Sequence, residues 1–324
     1  MSCTSTSQTT LTTLTIQVET STPTMTPRPT RTPRPTGTHT PIPTATFTPW
    51  PTKEVLAQFG VFGGDGGREY YSFIGHGMPK WVLYTDGQLI VQKEDNMGVW
   101  FEETKLTAAQ MCSLLSQIEQ VGFFTLAYDN SSVAGIPTAN PIYKFDSSTW
   151  FTEGGSWYVL QVNGPNPREI DVYLSYEPYL VPEARRVFDF FNNYSPPSRL
   201  TEYQPQYLLL RIQEGLGDAV NATPVPATYI WPADLPPLSI LTTQNVDTTV
   251  SYLGKRPFSQ VLLQGEQTKP FFDVFGNRLA YRLFQSEDQL YYVVARPFLP
   301  HETLNDFSMV PEEKQYALPF SCSN

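Results

Sequence analysis

An α+β fold, built of antiparallel hairpins with two main helices, follows from two features of the 324-residue sequence. Apolar, β-favouring runs flank short turn segments three times, and two stretches beginning at Thr107 and Pro182 carry apolar residues at helical spacing. A third feature sets the organisation: residues 1–52 are a Thr/Pro-rich tract that cannot bury a core. The expected layout is a disordered tether over 1–52, an α+β domain over 53–220, an extended connector over 221–237, and a β-rich C-terminal segment over 238–324 packed on the preceding domain.

The tether reads TSTPTMTPRPTRTPRPTGTHTPIPTATFTPWPT over residues 20–52. Proline removes the amide donor and biases the residue before it toward extended backbone, so neither helix nor ladder survives. Such a tract is expected to stay solvated and polyproline-like. About fifty residues reach on the order of 40 Å as a coil and roughly 150 Å when extended.

Within the folded part, WVLY and QLIV flank Thr85-Asp86-Gly87, which predicts a hairpin within Trp81–Val91. Thr107 is placed to cap a helix, with Gln110 reaching back to its backbone and Leu106 stapling onto Met111. Ala108, Met111, Leu115 and Ile118 form its apolar stripe, and Gly122 ends it. A Pro- and Gly-containing loop is expected over 129–155. SWYVLQV and REIDVYL then embrace Gly164-Pro165-Asn166-Pro167; apolar groups on both alternations predict a central pair of strands. Pro182 suits the first turn of a helix whose stripe is Ala184, Val187, Phe188 and Phe191, with Pro196-Pro197 beyond it. A short strand is expected at Tyr207–Ile212, and LAYRLFQ with QLYYVVARPF makes a third hairpin across Ser286-Glu287-Asp288. No period repeats, which argues against a solenoid or propeller.

Cys3 followed by the TPTMTPRPTRTPRPT spacer and an aromatic-rich domain resembles uncharacterised surface lipoproteins of the Chloroflexota type. The resemblance implies lipid attachment at Cys3, a membrane partner through that anchor, and an extracytoplasmic place on a bacterial cell surface. A signal segment and lipobox would have to precede Cys3, and only Met1 and Ser2 do, so the true start is expected upstream. A cytosolic chain is the alternative, and it leaves the spacer unexplained. The segments LYTDGQLIV, LTAAQMCSLLSQIEQVGFFTL and VPEARRVFDFF also resemble the emfourin domain, an inhibitor of thermolysin-type peptidases, in pattern only. No inhibitory residue carries over.

The formal charge is −10. Arg28, Arg31 and Arg34 against Glu19 give residues 1–52 a charge of +2, so the remainder carries −12. An acidic folded part argues against nucleic-acid binding, which needs clustered cations on phosphates. With Cys3 lipidated, Cys112 and Cys322 remain as an even pair in an oxidising compartment. A bond between them would pin the C-terminal YALPFSCSN to the first helix; the alternative is a buried Cys112 and a free thiol at Cys322.

Signs of chemistry are sparse. Of three histidines, His39 lies in the tether, leaving His76 and His301; no HExxH, CxxC or GxSxG occurs. No catalytic residue, metal site or cofactor is therefore assigned. The glycine-rich FGVFGGDGG over 59–67 lacks the Lys-Ser/Thr of a phosphate loop and reads as a flexible entry to the first strand. Glu102 with Glu103, and Glu287 with Asp288, read as solvated strand ends and turns rather than a glycosidase pair. Aromatics in loop-like context carry the functional hint: Trp100, Tyr143, Trp150, Phe151, Trp157, Tyr229 and Trp231. Exposed aromatic faces bind sugar rings and protein partners, and the loop from Asn140 to Trp157 is the preferred face. Core filling is the competing role. The expected function is non-enzymatic binding of glycan or protein, or a structural role in the envelope, with inhibition of an extracellular peptidase second and hydrolysis third.

Overall fold

Asp86-Gly87 turns the chain between β2 (Pro79–Tyr84) and β3 (Gln88–Asp95), and this hairpin sits at the middle of the larger sheet. Gly87 has φ +86°, and a Cβ there would lie 2.5 Å from the Leu106 carbonyl oxygen, so the turn needs glycine twice over. The computed structural model describes residues 53–63, 78–95, 98–128, 140–145, 156–215, 228–242, 246–247, 258–302, 317–320 and 322. The expected tether, His76, Trp150 and Phe151 lie outside them.

β1 (Val55–Gly63) pairs antiparallel with β2 and, on its other side, with β5 (Ser156–Val162). The expected flexible entry over 59–67 is therefore corrected: its first five residues, Phe59 to Gly63, are sheet. β4 (Gly98–Lys105) follows β3, and β6 (Arg168–Tyr173) follows β5. Further along come β7 (Thr201–Glu202), β8 (Tyr207–Glu214), β9 (Thr228–Ile230), β10 (Val246–Asp247), β11 (Phe258–Gln264), β12 (Arg278–Ser286) and β13 (Gln289–Pro297). The ladders run in the order β10-β11-β8-β13-β12-β4-β3-β2-β1-β5-β6, with β7 beside β4 and β9 beside β12. Two sheets share β12: Arg278 and Leu279 pair with β4, while Ala280 to Ser286 pair with β13. Each ladder on this path is antiparallel, and β9 adds a parallel pairing with β12.

One expectation is corrected by this topology, and two others gain detail. The second hairpin is not central, because β6 ends the ladder path. β8, assigned by sequence to the 53–220 region, lies between β11 and β13, so the C-terminal strands complete a sheet begun before residue 220. The described part of the connector over 221–237 holds a strand, β9, and a buried Trp231.

α1 (Ala108–Gln120) starts as its sequence requires: Thr107 Oγ1 accepts from Gln110 N–H, and Gln110 Oε1 accepts from Thr107 N–H. It ends in a Schellman arrangement, with Phe123 N–H on the Ile118 carbonyl, Gly122 N–H on that of Glu119, and Gly122 at φ +94°. Its buried side is Met111, Leu114 and Ile118; Ala108, expected in the stripe, is exposed. α2 (Pro182–Asn192) buries Ala184, Val187, Phe188 and Phe191. Two further α-helices among the described residues are short, α3 (Leu238–Leu241) and α4 (Lys269–Phe275).

Alternation along the strands divides the core. Trp81, Leu83, Leu89, Val91, Leu160 and Val172 join α1 and α2 on one face of the larger sheet. Val82, Tyr84, Ile90 and Phe101 point the other way and meet Leu209, Val294 and Phe298 of the second sheet's region. Helices and second sheet thus cover opposite faces, and Trp50–Asn324 is one unit. Cys112 of α1 and Cys322 are joined by a disulfide, with Cα atoms 5.6 Å apart, and the nearby Leu318 is buried in the helix-side core.

Candidate ligand cleft

Between α1 and the end of α2 lies a cleft of about 550 Å³. One wall is made by Gln110, Ser113 and Gln117, which share a helical face three and four residues apart. Leu114, on the boundary between this face and the buried one, gives the cleft an apolar base. The opposite wall is Asp189 and Phe190 from the last turn of α2, then Asn193, Tyr194, Ser195 and Pro197 beyond it. The Pro196-Pro197 pair forbids further helix, which turns the chain along the cleft rather than away from it.

The side chains are held by local bonds. Gln110 caps α1 with its Oε1 and spans to Ser198 with its Nε2, which donates to Oγ at 3.2 Å, tying the two walls together at one end. Gln117 Nε2 donates to Ser113 Oγ at 3.2 Å, and Asn193 Nδ2 donates to the Asp189 carbonyl at 2.8 Å. Tyr194 packs its ring 5.2 Å from that of Trp81, itself stacked on Phe191 and anchored by a 2.9 Å bond from Nε1 to the Phe191 carbonyl. Burial pushes the Tyr194 phenol up to about 12, so at neutral pH it is protonated and can donate. The Asp189 carboxylate lies 3.8 Å from Arg185, one turn earlier on α2.

Among the described residues, the aromatic residues singled out in the sequence do not assemble into a platform; Trp150 and Phe151 lie outside them. Tyr143 is buried, and its hydroxyl accepts the Tyr173 N–H. Trp231 is also buried: Phe271, Phe275 and Phe284 surround its indole, and Nε1 donates to the Pro236 carbonyl at 2.9 Å. Both corrections have the same cause, since a large ring next to a sheet edge gains more by covering that edge than by facing water. Asn140 and Ile142 are buried too, whereas Pro141 and Lys144 are exposed, so the described start of the preferred loop alternates between core and surface. Trp157 is half-buried beside Tyr173, Trp100 half-buried beneath the Arg278 guanidinium at 4.6 Å, and Tyr229 is 47% exposed with Arg282 over its ring. These three stand on three different strands, β5 and β4 of the path and β9 beside β12.

Nor do the candidate catalytic groups converge among the described residues, which do not include His76. His301 Nδ1 is hydrogen-bonded to the Tyr84 hydroxyl at 2.8 Å, and Tyr84 is wholly buried, its phenol held above its ordinary value by that burial. Glu102 and Glu103 are successive residues of β4 and so face opposite ways; Glu103 accepts from Gln88 Nε2 at 2.6 Å. Glu287 accepts from Ser239 at the tip of the third hairpin. Among the described residues no group of three or more metal-ligating side chains gathers, and no helix is long and apolar enough to cross a membrane.

Sequence reading missed the cleft residues because Gln110, Ser113 and Gln117 look like an ordinary solvated helix face. The available signal was the run Asn192-Asn193-Tyr194-Ser195 between a helical stripe and two prolines, which places hydrogen-bonding groups where the chain must bend. Comparison with family models, with curated proteins and with solved structures finds no match to this chain.

Proposed function

We propose that this chain is a bacterial surface lipoprotein that binds a ligand without transforming it. A lipid on Cys3 anchors it to the membrane, the Thr/Pro tract acts as a disordered tether, and the folded unit offers the α1–α2 cleft as its binding site. The observation that carries the reading is the cleft itself, a concave site with an apolar base, two aromatic rings and convergent amide and hydroxyl groups. Its walls are fixed by a cap, a cross-link between the two walls and aromatic packing, so little ordering would accompany binding. An anchored module on a long tether fits a target in the envelope, where local concentration offsets modest affinity.

The test joins anchoring and binding. Mass spectrometry of the native protein from the membrane fraction is expected to find acyl chains on Cys3, and the full chain is expected to co-sediment with isolated cell envelopes. Gln117→Arg, which fills the cleft from an exposed position, should abolish co-sedimentation while the melting temperature is retained. Co-sedimentation indifferent to that substitution would remove the cleft from the reading.

Inhibition of an extracellular peptidase is the second reading. It draws on the order of elements, a β2–β3 hairpin, a helix ending in Gly122-Phe123-Phe124, the β5–β6 hairpin and α2. Thermolysin-type activity unchanged by excess full-length protein would end it.

A further inference from the structure

We infer that the α1–α2 cleft is built for an uncharged saccharide; this rests on the binding role proposed above and names its ligand class. The hydrogen-bonding groups are of both senses. The NH2 groups of Gln117 and Asn193 donate to Ser113 and to the Asp189 carbonyl, so their carbonyl oxygens and the Asp189 carboxylate supply acceptors, while the hydroxyls of Ser113, Tyr194 and Ser195 can donate. A lining that mixes acceptors with hydroxyl donors suits a ligand whose groups do both, and a sugar ring presents such an O–H at nearly every carbon. Tyr194 and Phe190, ring centres 6.4 Å apart and planes inclined at 41°, supply two apolar ring faces, either of which can pack against the C–H face of a pyranose.

Charge narrows the class. No Lys or Arg lines the cleft, and the whole chain is strongly acidic, so uronic acids, phosphorylated polymers and sulfated glycans meet repulsion without a counter-charge. Cationic ligands find a single carboxylate that already has Arg185 beside it. The volume of about 550 Å³ lies within the roughly 300–1,000 Å³ usual for small-ligand sites, enough for a short oligosaccharide.

The experiment applies the full-length protein to an array carrying neutral hexose oligomers, uronic-acid and sulfated oligomers, amino-sugar polycations and unmodified peptides, followed by calorimetric titration of whatever is retained. Neutral oligomers are expected to be retained, and Tyr194→Ala and Gln117→Arg should each weaken them at least about tenfold, a loss of about 1.4 kcal/mol or more. Gln117 is exposed, so its variant separates lost contact from lost fold, with unchanged melting as the control. Retention of acidic polymers or peptides alone, abolished by Gln117→Arg, would overturn the saccharide class and leave the binding role standing. Neutral oligomers bound equally by wild type and Gln117→Arg would overturn the cleft as their site. Retention of nothing in any class would overturn both.

Discussion

The hydroxyl of Tyr143 accepts the backbone N–H of Tyr173 at 2.9 Å, in the place where a further strand would offer a carbonyl. Two residues earlier, Tyr128 does the same for Asp171 at 3.0 Å. β6 ends the ladder path, and an open edge invites pairing with another chain. Two phenols satisfy its outward amides with side chains that no incoming strand can extend. Burial raises both phenols well above their ordinary value, so they stay protonated across the physiological range.

Tyr143→Phe keeps the ring and leaves the Tyr173 amide without that acceptor. It should destabilise the fold by about 1–3 kcal/mol and speed exchange of the Tyr173 amide. Urea titration with hydrogen exchange checks both, and an unchanged Tyr173 exchange rate would show that the hydroxyl does not guard the edge.

Arg296 is fully buried and pairs with Glu302 through both terminal guanidinium nitrogens, Nη1 and Nη2, while Glu302 also accepts the Leu299 N–H at 2.8 Å. Removing one partner strands a buried charge, so Arg296→Met should cost about 3–5 kcal/mol. The double variant Arg296→Met with Glu302→Leu should recover a large part of that loss. Equal urea midpoints for single and double variants would contradict the pairing.

Asp86 gives a pH signature. Burial alone would raise its carboxyl, but hydrogen bonds from Lys53 at 2.8 Å, from Gln88 N–H at 3.0 Å and from Lys105 at 3.1 Å outweigh it and hold it at about 2 against an ordinary 3.8. The folded value is depressed, so the contribution is full above the unfolded value and is lost as pH falls through about 2. The side chain is 42% exposed, which limits the effect to about 0.2–1 kcal/mol. Asp86→Asn should flatten the stability profile between about pH 4 and pH 2; a slope equal to that of the wild type would rule this carboxylate out as its source.

Cys112→Ser should lower stability by about 2–5 kcal/mol and make the signals of Leu318 and Phe320 broaden first. Non-reducing peptide mapping of the parent protein should recover the peptides of Cys112 and Cys322 together. Recovery of either as a free thiol would contradict the bond.

Local structure was readable where each cause lies within a few residues. Thr107 with Gln110, Gly122 with Ile118, Gly87 and Pro182 specify turns and helix ends through bonds made near their own position. What escaped depends on partners remote in the chain. The second half of β1, from Phe59 to Gly63, looked like a flexible entry because its glycines and Phe59 make sense only between β2 and β5, the latter about a hundred residues away. Tyr143 and Trp231 looked exposed because the edges they cover are set by Tyr173 and by β12. The cleft was illegible for the same reason: a polar helix face becomes a wall only once α2 and the segment after it stand opposite.

The bond between Cys112 and Cys322 spans 210 positions of sequence. It closes those positions into a covalent ring that contains most of α1, all of α2 and every strand from β5 onward. A protease that cuts the backbone once inside the ring leaves both pieces attached to the same molecule. In the surface setting proposed above, a nicked copy would stay whole and in place until a second cut or a reductant released the fragment.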